Sequence, residues 1–190
     1  MINLAVLASG NGSNAENIVK YFKNHSAINV KLVITDNPKA YVIERAKNLG
    51  VECIQMSKDA IKTGNELNEK LIENKIDWII LAGFLLLIPK NVVENFRNKI
   101  VNIHPALLPK YGGKGMYGMN VHNKVIENAE KESGITIHFV NENYDEGDII
   151  FQKSCPISSE DNADDLANKI HKLEYEYYPK IIEQTVLNFQ

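Results

Sequence analysis

The sequence predicts an α/β fold with a doubly wound, mostly parallel central sheet and helices on both faces. Three observations carry that expectation. Short apolar runs alternate with helix-period segments through the first half of the chain. One run, Trp78–Ala82, is apolar at every position, as a strand buried on both faces of a parallel sheet must be. A later run, Lys99-Ile100-Val101-Asn102-Ile103-His104-Pro105, ends in two polar residues two positions apart. Residues i and i+2 of a strand share a face, so Asn102 and His104 project together while Ile103 packs on the other side. Pro105 has no N–H for a sheet ladder and ends the strand. An amide and an imidazole are thus offered at a strand's carboxyl end, where open α/β sheets bind ligands.

Ile2–Ala8 reads as the first strand, running into Ser9-Gly10-Asn11-Gly12-Ser13-Asn14 and a helical pattern to Tyr21. Val30–Thr35 is the second strand, stopped by Asp36-Asn37-Pro38. A helix over Tyr41–Leu49 closes on Gly50, and Val51–Gln55 is the third strand. Leu67, Leu71 and Ile72 give Glu66–Lys75 helical spacing. Trp78–Ala82 is the fourth strand, Lys90–Phe96 a short helix and Ile100–Ile103 the fifth strand. Then the rhythm changes. Pro105–Asn120 holds four glycines and two prolines and reads as a long loop. Val121–Lys131 is a helix. Ile135–Val140 and Ile149–Ser154 are strands that either pair as a long-looped hairpin or flank a site. Asp161 is a good N-cap for the last helix, whose core stripe is Leu166, Ile170, Leu173, Tyr177 and Ile181. Pro179 is expected to kink or interrupt it.

The chain has 190 residues, 44% of them hydrophobic and 24% charged, with a net charge of −3. That suffices for one domain with a substantial core. No basic cluster marks a nucleic-acid face, and the longest apolar run, Trp78–Ile88, is too short to span a bilayer. Met1 enters a strand without a basic leader or a cleavage site, so a cytoplasmic protein is expected. Cys53 and Cys155 form no CxxC and fit a reducing compartment as buried thiols. No metal-ligand spacing is present.

Gly10-Asn11-Gly12-Ser13-Asn14 joins a strand to a helix and admits three readings. Glycines let a backbone approach a ligand, and a helix N-terminus with Ser13 and Asn14 suits a phosphate monoester. Gly10, Gly12 and Ala15 also fit the dinucleotide pattern G-x-G-x-x-G/A, with Asp36 as the ribose acid. A ligand-free tight turn is the third. Asn102 and His104 suit an oxyanion at a carbonyl carbon, and no Ser or Cys nucleophile is paired with the histidine. That favours direct attack by a substrate amine. The bland alternative is a hydrogen-bonded core histidine beside a turn asparagine. Asp145 lies in an acid-rich turn, Asp145-Glu146-Gly147-Asp148; bonded to one imidazole nitrogen it would favour the imidazolium. His138 sits opposite Ile135, Ile137 and Phe139, supporting a site or facing solvent, and His122 reads as a helix-surface residue. His171 and Glu174, three apart, share a helix face that is by default solvated but is placed to close over a polar ligand.

These motifs resemble those of the phosphoribosylglycinamide formyltransferases, the folate-dependent enzymes of purine biosynthesis, essentially from end to end. The resemblance is carried by Ser9–Asn14, by Leu81-Ala82-Gly83-Phe84 and by Asn102-Ile103-His104-Pro105-Ala106-Leu107-Leu108-Pro109. Gly134–Val140 and Tyr144-Asp145-Glu146-Gly147 complete it. It implies a formyltransferase-type single domain over 1–190, with a Rossmann-like phosphate-binding half at 1–101 and a catalytic, folate-binding half at 102–190. It implies formyl transfer from 10-formyltetrahydrofolate, as co-substrate and without a metal, to the amine of 5-phosphoribosylglycinamide. Asn102, His104 and Asp145 take the catalytic positions, with protonated His104 holding the oxyanion. Gly12, Ser13, Asn14, His171 and Glu174 take the phosphoribosylglycinamide positions. Leu85, Leu86, Leu87, Ile88, Val93, Ile100, Asn102, Val140 and Tyr144 take the folate positions. The implied partners are two small molecules, with no nucleic acid or membrane, in a monomer or homodimer. Relatives often carry basic residues at Leu86 and near Gly64, and the loop 111–120 is longer here than in many of them. The alternatives are another folate-dependent formyltransferase, a formyltetrahydrofolate hydrolase or, from the glycine loop alone, a dinucleotide-binding oxidoreductase.

Overall fold

The computed structural model describes residues 1–189, and the chain divides into two compact units, Met1–Asn102 and Ile103–Gln190. The first unit runs β1 (Ile2–Leu7), α1 (Ser13–Phe22), β2 (Ile28–Thr35), α2 (Val42–Leu49), β3 (Glu52–Gln55) and α3 (Lys58–Thr63). It continues through α4 (Asn65–Glu73), β4 (Trp78–Leu81) and α5 (Lys90–Asn95) into β5 (Ile100–His104). Its strands are parallel, in the order β3-β2-β1-β4-β5. The chain starts in the middle, winds outward through β2 and β3, and returns past β1 to lay down β4 and β5. By the right-handed rule for crossovers between parallel strands, the helices of the two windings fall on opposite faces. The packing follows that division: α1 lies against α2, and α4 against α3 and α5. β4 is buried at every position, as its unbroken apolar run requires. The helix α3 has no counterpart in the sequence reading. It is six residues with one buried apolar side chain, Ile61, too short for a period to register, and is started by Ser57, whose hydroxyl accepts from the Ala60 N–H at 3.1 Å.

The strand order reverses at β1, so the carboxyl end of β1 is the unit's crevice. Ser9 ties that end together. Its N–H donates to the Gly83 carbonyl at 3.1 Å, its carbonyl accepts from the Asn37 amide at 3.1 Å, and its hydroxyl accepts from the Leu85 N–H at 3.0 Å.

The second unit holds α6 (Met119–Glu127), β6 (Glu132–Phe139), β7 (Ile149–Pro156) and α7 (Ala163–Asn188). Of the two arrangements open to its strands, the antiparallel hairpin is the one adopted, with an irregularity between Ile137 and His138. The helix α7 packs against α6, β6 and β7. The described residues thus form seven strands in a mostly parallel α/β fold, as the sequence predicts.

Three local expectations are corrected. The N-cap of α7 is Asn162, one residue beyond Asp161. Its side chain accepts from the Asp164 and Asp165 N–H groups at 2.8 and 3.0 Å, and the Asp165 carboxylate accepts from the Asn162 N–H at 3.1 Å, a complete capping box. Asp161 instead accepts from the Ser158 N–H and pairs with Lys169. Pro179 does not interrupt α7, which continues to Asn188. Leu166, Ile170 and Ile181 of the expected stripe are buried, but the row that steps by four runs Leu166, Ile170, Glu174, Tyr178, Ile182 and Val186, which puts a carboxylate in the core, with Ala167 and Pro179 buried beside it. Leu173 and Tyr177 flank it half-buried, with Tyr177 stacked on Phe151 at 5.2 Å between centroids.

Loss of an Asn cap costs about 1 kcal/mol on average. Asn162→Ala is expected to lower unfolding stability in urea by about that amount, while Asn162→Asp leaves it nearly unchanged. Equal stability of the Ala variant and the wild type would show that the capping box does not hold the start of α7.

Candidate active site

Asp145 sits between two imidazoles in the second unit. Its Oδ2 lies 3.6 Å from His104 Nδ1 and its Oδ1 3.6 Å from His138 Nε2. The Gly113 N–H donates to Oδ2 at 2.9 Å. Two glycines make this approach sterically possible. A Cβ on Gly147 would stand 1.8 Å from the Phe139 carbonyl oxygen, so the turn carrying the acid rests directly on the end of β6. A Cβ on Gly112 would stand 2.6 Å from Leu108 Cδ2 and 3.3 Å from Asp145 Cβ. Asp145 itself is held at φ 56°, a left-handed conformation that costs a non-glycine residue about 1–3 kcal/mol. Strain of that kind persists only where the surroundings over-determine it.

The other nitrogen of each ring is committed to a backbone carbonyl. His104 Nε2 lies 2.7 Å from the Tyr111 oxygen, and His138 Nδ1 lies 2.7 Å from the Phe139 oxygen. A carbonyl only accepts, so each of these nitrogens carries the hydrogen. In the neutral His104 ring the nitrogen that faces Asp145 is then bare, and that ring gains the full attraction of the carboxylate only by taking a second proton on that side. His138, only 1% exposed, is therefore part of the cluster rather than solvent-facing.

Burial and charge oppose each other here. Burial pushes the His104 imidazole below its ordinary value, with the Asp145 carboxylate and the Tyr111 carbonyl pulling back only in part. Asp145 does favour the imidazolium, as expected, but in the free protein burial outweighs it. Burial would raise the Asp145 carboxyl, but the His138 ring, the charge on His104 and the Gly113 amide together hold it below the usual carboxylate value.

Tyr111 is a site residue the sequence did not single out. It also has a positive φ, 57°. Its hydroxyl donates to Glu130 at 2.9 Å and accepts from the Asn128 amide at 2.8 Å, anchoring the start of the glycine-rich loop just past the end of α6. Nothing in its spacing distinguishes it from any loop tyrosine.

His122 is not on a helix surface. It is 2% exposed, its Nδ1 has no hydrogen-bond partner, and its pKa is pushed down to about 4 by burial first and then by the nearby His171 and His104. His171 on α7 is exposed and also lowered by burial, whereas Glu174 is 6% exposed in the helix seam. The solvated-face reading thus fails for Glu174. Burial and the Glu174 charge together raise the Tyr178 hydroxyl well above its usual value.

In the first unit, Gly12 takes φ 75° as the residue before α1. Its missing Cβ leaves room for Val42, whose Cγ2 would otherwise be 2.4 Å away. Ser13 and Asn14 form the first turn of α1. Asp36, offered as a ribose acid, is 6% exposed, with one carboxylate oxygen buried and unpartnered. Asn102 is half-buried two residues before His104 in β5. Of the folate positions, Ile88, Val93 and Ile100 are spent in the core, Leu86 is half-buried, and Leu85 and Leu87 are exposed. In the second unit Val140 is half-buried and Tyr144 exposed. The absence of a basic side chain at Gly64 has a local cause. At φ 76° it joins α3 to α4, and a Cβ there would stand 2.2 Å from Asn91 Oδ1.

The profile of the formyl transferase family matches residues 2–182. The chain is 38% identical over 185 residues to a chloroplastic phosphoribosylglycinamide formyltransferase of Vigna unguiculata, covering 95% of this chain and 59% of that protein. It thus spans about three-fifths of the plant relative's length. With the phosphoribosylglycinamide formyltransferase of Bacillus subtilis it shares 35% identity, covering 97% of this chain and 94% of the relative. The crystal structure of glycinamide ribonucleotide transformylase 1 from Geobacillus kaustophilus superposes with a TM-score of 0.88 at 35% identity, covering 97% and 98% of the two chains.

A buried imidazole with a folded pKa of about 4 and an ordinary value near 6.5 binds its proton more tightly when unfolded. Stability from His122 is therefore complete above about pH 6.5 and is lost as pH falls toward 4. The shift corresponds to roughly 3 kcal/mol across that window. Urea unfolding between pH 4 and 7 should show a stability that rises with pH, with a shallower rise in His122→Gln. An unchanged slope in that variant would refute the assignment.

Proposed function

The chain belongs to the formyl transferase family, and we propose that it transfers a formyl group from 10-formyltetrahydrofolate to the primary amine of 5-phosphoribosylglycinamide. The observation that carries this reading is the bracketing of the Asp145 carboxylate by His104 and His138, each 3.6 Å away. It provides a buried proton site next to a strand-end asparagine. The same reading takes the protein as a cytoplasmic enzyme of two small molecules, monomer or homodimer, acting on neither nucleic acid nor membrane.

Attack of the amine on the formyl carbon forms a C–N bond and moves the carbonyl π pair onto oxygen. Negative charge develops there, and positive charge on the attacking nitrogen. Asn102 donates an amide N–H to that oxygen, and His104 supplies a second positive partner. His104 is neutral at neutral pH in the free protein, because burial outweighs Asp145. Charge developing on the oxygen tips that balance, so the proton lost by the attacking nitrogen is held on the ring until the leaving nitrogen takes it. Asp145 fixes the ring's orientation and faces the nitrogen that receives it. The attacking nitrogen loses its proton, and the leaving nitrogen of the donor gains one as its bond to the formyl carbon breaks. No thiol nucleophile competes: Cys53 and Cys155 are half-buried, and burial pushes both away from the reactive thiolate.

The phosphate of the acceptor is assigned to Gly12, Ser13 and Asn14, where α1 begins, since a ten-residue helix presents unpaired N–H groups and a positive dipole end to a dianion. Glu174 and His171 are assigned to the glycinamide. The exposed Leu85, Leu87 and Tyr144, with Leu86 and Val140, are assigned to the pteridine, and Ile88, Val93 and Ile100 back it from the core. With Leu86 and Gly64 in place of basic residues, the donor's glutamate tail gains no ion pair at either position.

The test is a spectrophotometric assay with a 10-formyl folate donor and glycinamide ribonucleotide. Wild type should turn over, and Asn102→Ala and His104→Ala should each lose about 10²–10³ in kcat with the circular dichroism spectrum retained. Asp145→Asn should lose turnover as well. Near-normal transfer by either alanine variant would remove the assigned chemistry. Micromolar NAD(P)H binding without folate affinity would replace the reading by a dinucleotide enzyme.

A further inference from the structure

The glycine loop of the first unit is clamped from outside by one side chain, Arg45 of α2. Its Nε donates to the Asn11 carbonyl at 2.9 Å and its Nη2 to the Asn11 side-chain oxygen at 2.8 Å. Its third nitrogen pairs with Glu16, in the first turn of α1. The guanidinium lies 5.0 Å from the centroid of the Tyr41 ring. The same end of α2 meets the loop twice more. The Val42 N–H donates to the Gly10 carbonyl at 3.3 Å, and Val42 fills the space left by the absent Cβ of Gly12. Within the first unit, the start of α2 is thus a fixed backing against which residues 10–12 are shaped.

We infer that Arg45 is a positioning residue for phosphate-monoester binding by the loop Gly12-Ser13-Asn14, acting through Asn11 and Glu16 without touching the ligand. The inference rests on the assignment of that loop in the proposed function and goes beyond it by naming what holds the loop in shape. Two physical effects point the same way. A planar guanidinium bonding the carbonyl and the side-chain oxygen of one residue fixes that residue's ψ and χ angles together, which a point charge on a flexible stem does not. The Glu16 carboxylate also stands in the first turn of α1, where a phosphate dianion would feel its repulsion. Arg45 neutralises it, together with Lys20, which pairs with the same carboxylate one turn on. Removing Arg45 therefore frees the loop and leaves Glu16 with only its partner on α1. Both effects fall on acceptor binding and neither on the side chains assigned to the formyl chemistry.

The experiment compares wild type, Arg45→Ala, Arg45→Lys and Asn11→Ala. It uses calorimetric titration with ribose 5-phosphate and with glycinamide ribonucleotide, and steady-state formyl transfer. Arg45→Ala is expected to raise the KM for glycinamide ribonucleotide and the Kd for ribose 5-phosphate about tenfold, with kcat and the donor KM within about twofold. Arg45→Lys, which keeps the charge but lacks the fork, should recover only part of that loss. Asn11→Ala loses only the side-chain half of the clamp and should shift both constants less than Arg45→Ala. Thermal unfolding establishes that the variants are folded, and Asn11→Ala carries the test if Arg45→Ala is not. A wild type that binds ribose 5-phosphate tenfold better than Arg45→Ala but transfers no formyl group would overturn the proposed activity and leave the positioning role standing. Unchanged acceptor constants in Arg45→Ala, a fall in kcat with both KM values unchanged, or no ribose 5-phosphate binding by wild type would overturn the role of Arg45.

Discussion

A carboxylate wedged between two imidazoles, each with its far nitrogen tied to a main-chain oxygen, is the constraint on which the second unit is built. His104 and His138 both spend their one neutral-state hydrogen on a carbonyl, at 2.7 Å each. What the neutral His104 ring turns toward Asp145 is therefore a lone pair, 3.6 Å away, whereas the His138 ring helps hold that carboxylate charged. The His104 ring meets that carboxylate fully only when a proton joins it, which burial opposes in the free protein. A site that must meet growing negative charge benefits from being short of one proton in its resting state.

Several backbone features that look unrelated follow from that wedge. Asp145 needs a left-handed φ to turn its carboxylate inward, and Gly147 must lie flat against the Phe139 carbonyl to bring the turn close enough. Gly112 must be bare for the opposite loop to pass Leu108 and the acid, and Gly113 then donates to the carboxylate. Tyr111, also left-handed, offers its carbonyl to His104 while its hydroxyl is held by Glu130 and Asn128. The glycine-rich loop is thus tied at its start to the ring it serves.

The alternation of strands and helices and the central position of β4 were readable from the chain, because an apolar run without polar interruptions has few other homes. The grouping of Asn102 with His104 follows from strand period alone. That Asp145 reaches His104 was only implied by resemblance, since no local pattern fixes where an eight-residue acidic turn folds back. His122 was misread because a helix of nine residues with mixed polarity leaves its buried face ambiguous by a residue or two. The same slip of one position moved the predicted α7 stripe onto Leu173 and Tyr177 and off Glu174. Arg45 and Tyr111 were invisible for another reason. Tyr111 acts through its own carbonyl, and Arg45 reaches back over 29 and 34 residues to Glu16 and Asn11, so neither leaves a trace in local side-chain spacing.

The misread histidine also completes the electrostatics. His122 lies close enough to His104 and His171 for each to disfavour its protonation, and burial disfavours it further, to a pKa of about 4. A proton on His122 would in turn repel one on His104. Keeping His122 neutral is therefore a condition for letting His104 become charged at all. His104, by contrast, has the Asp145 carboxylate waiting on its bare side. The medium that makes any charge costly thus selects where a proton on His104 goes: onto the nitrogen facing Asp145, whose carboxylate the Gly113 N–H already holds in place.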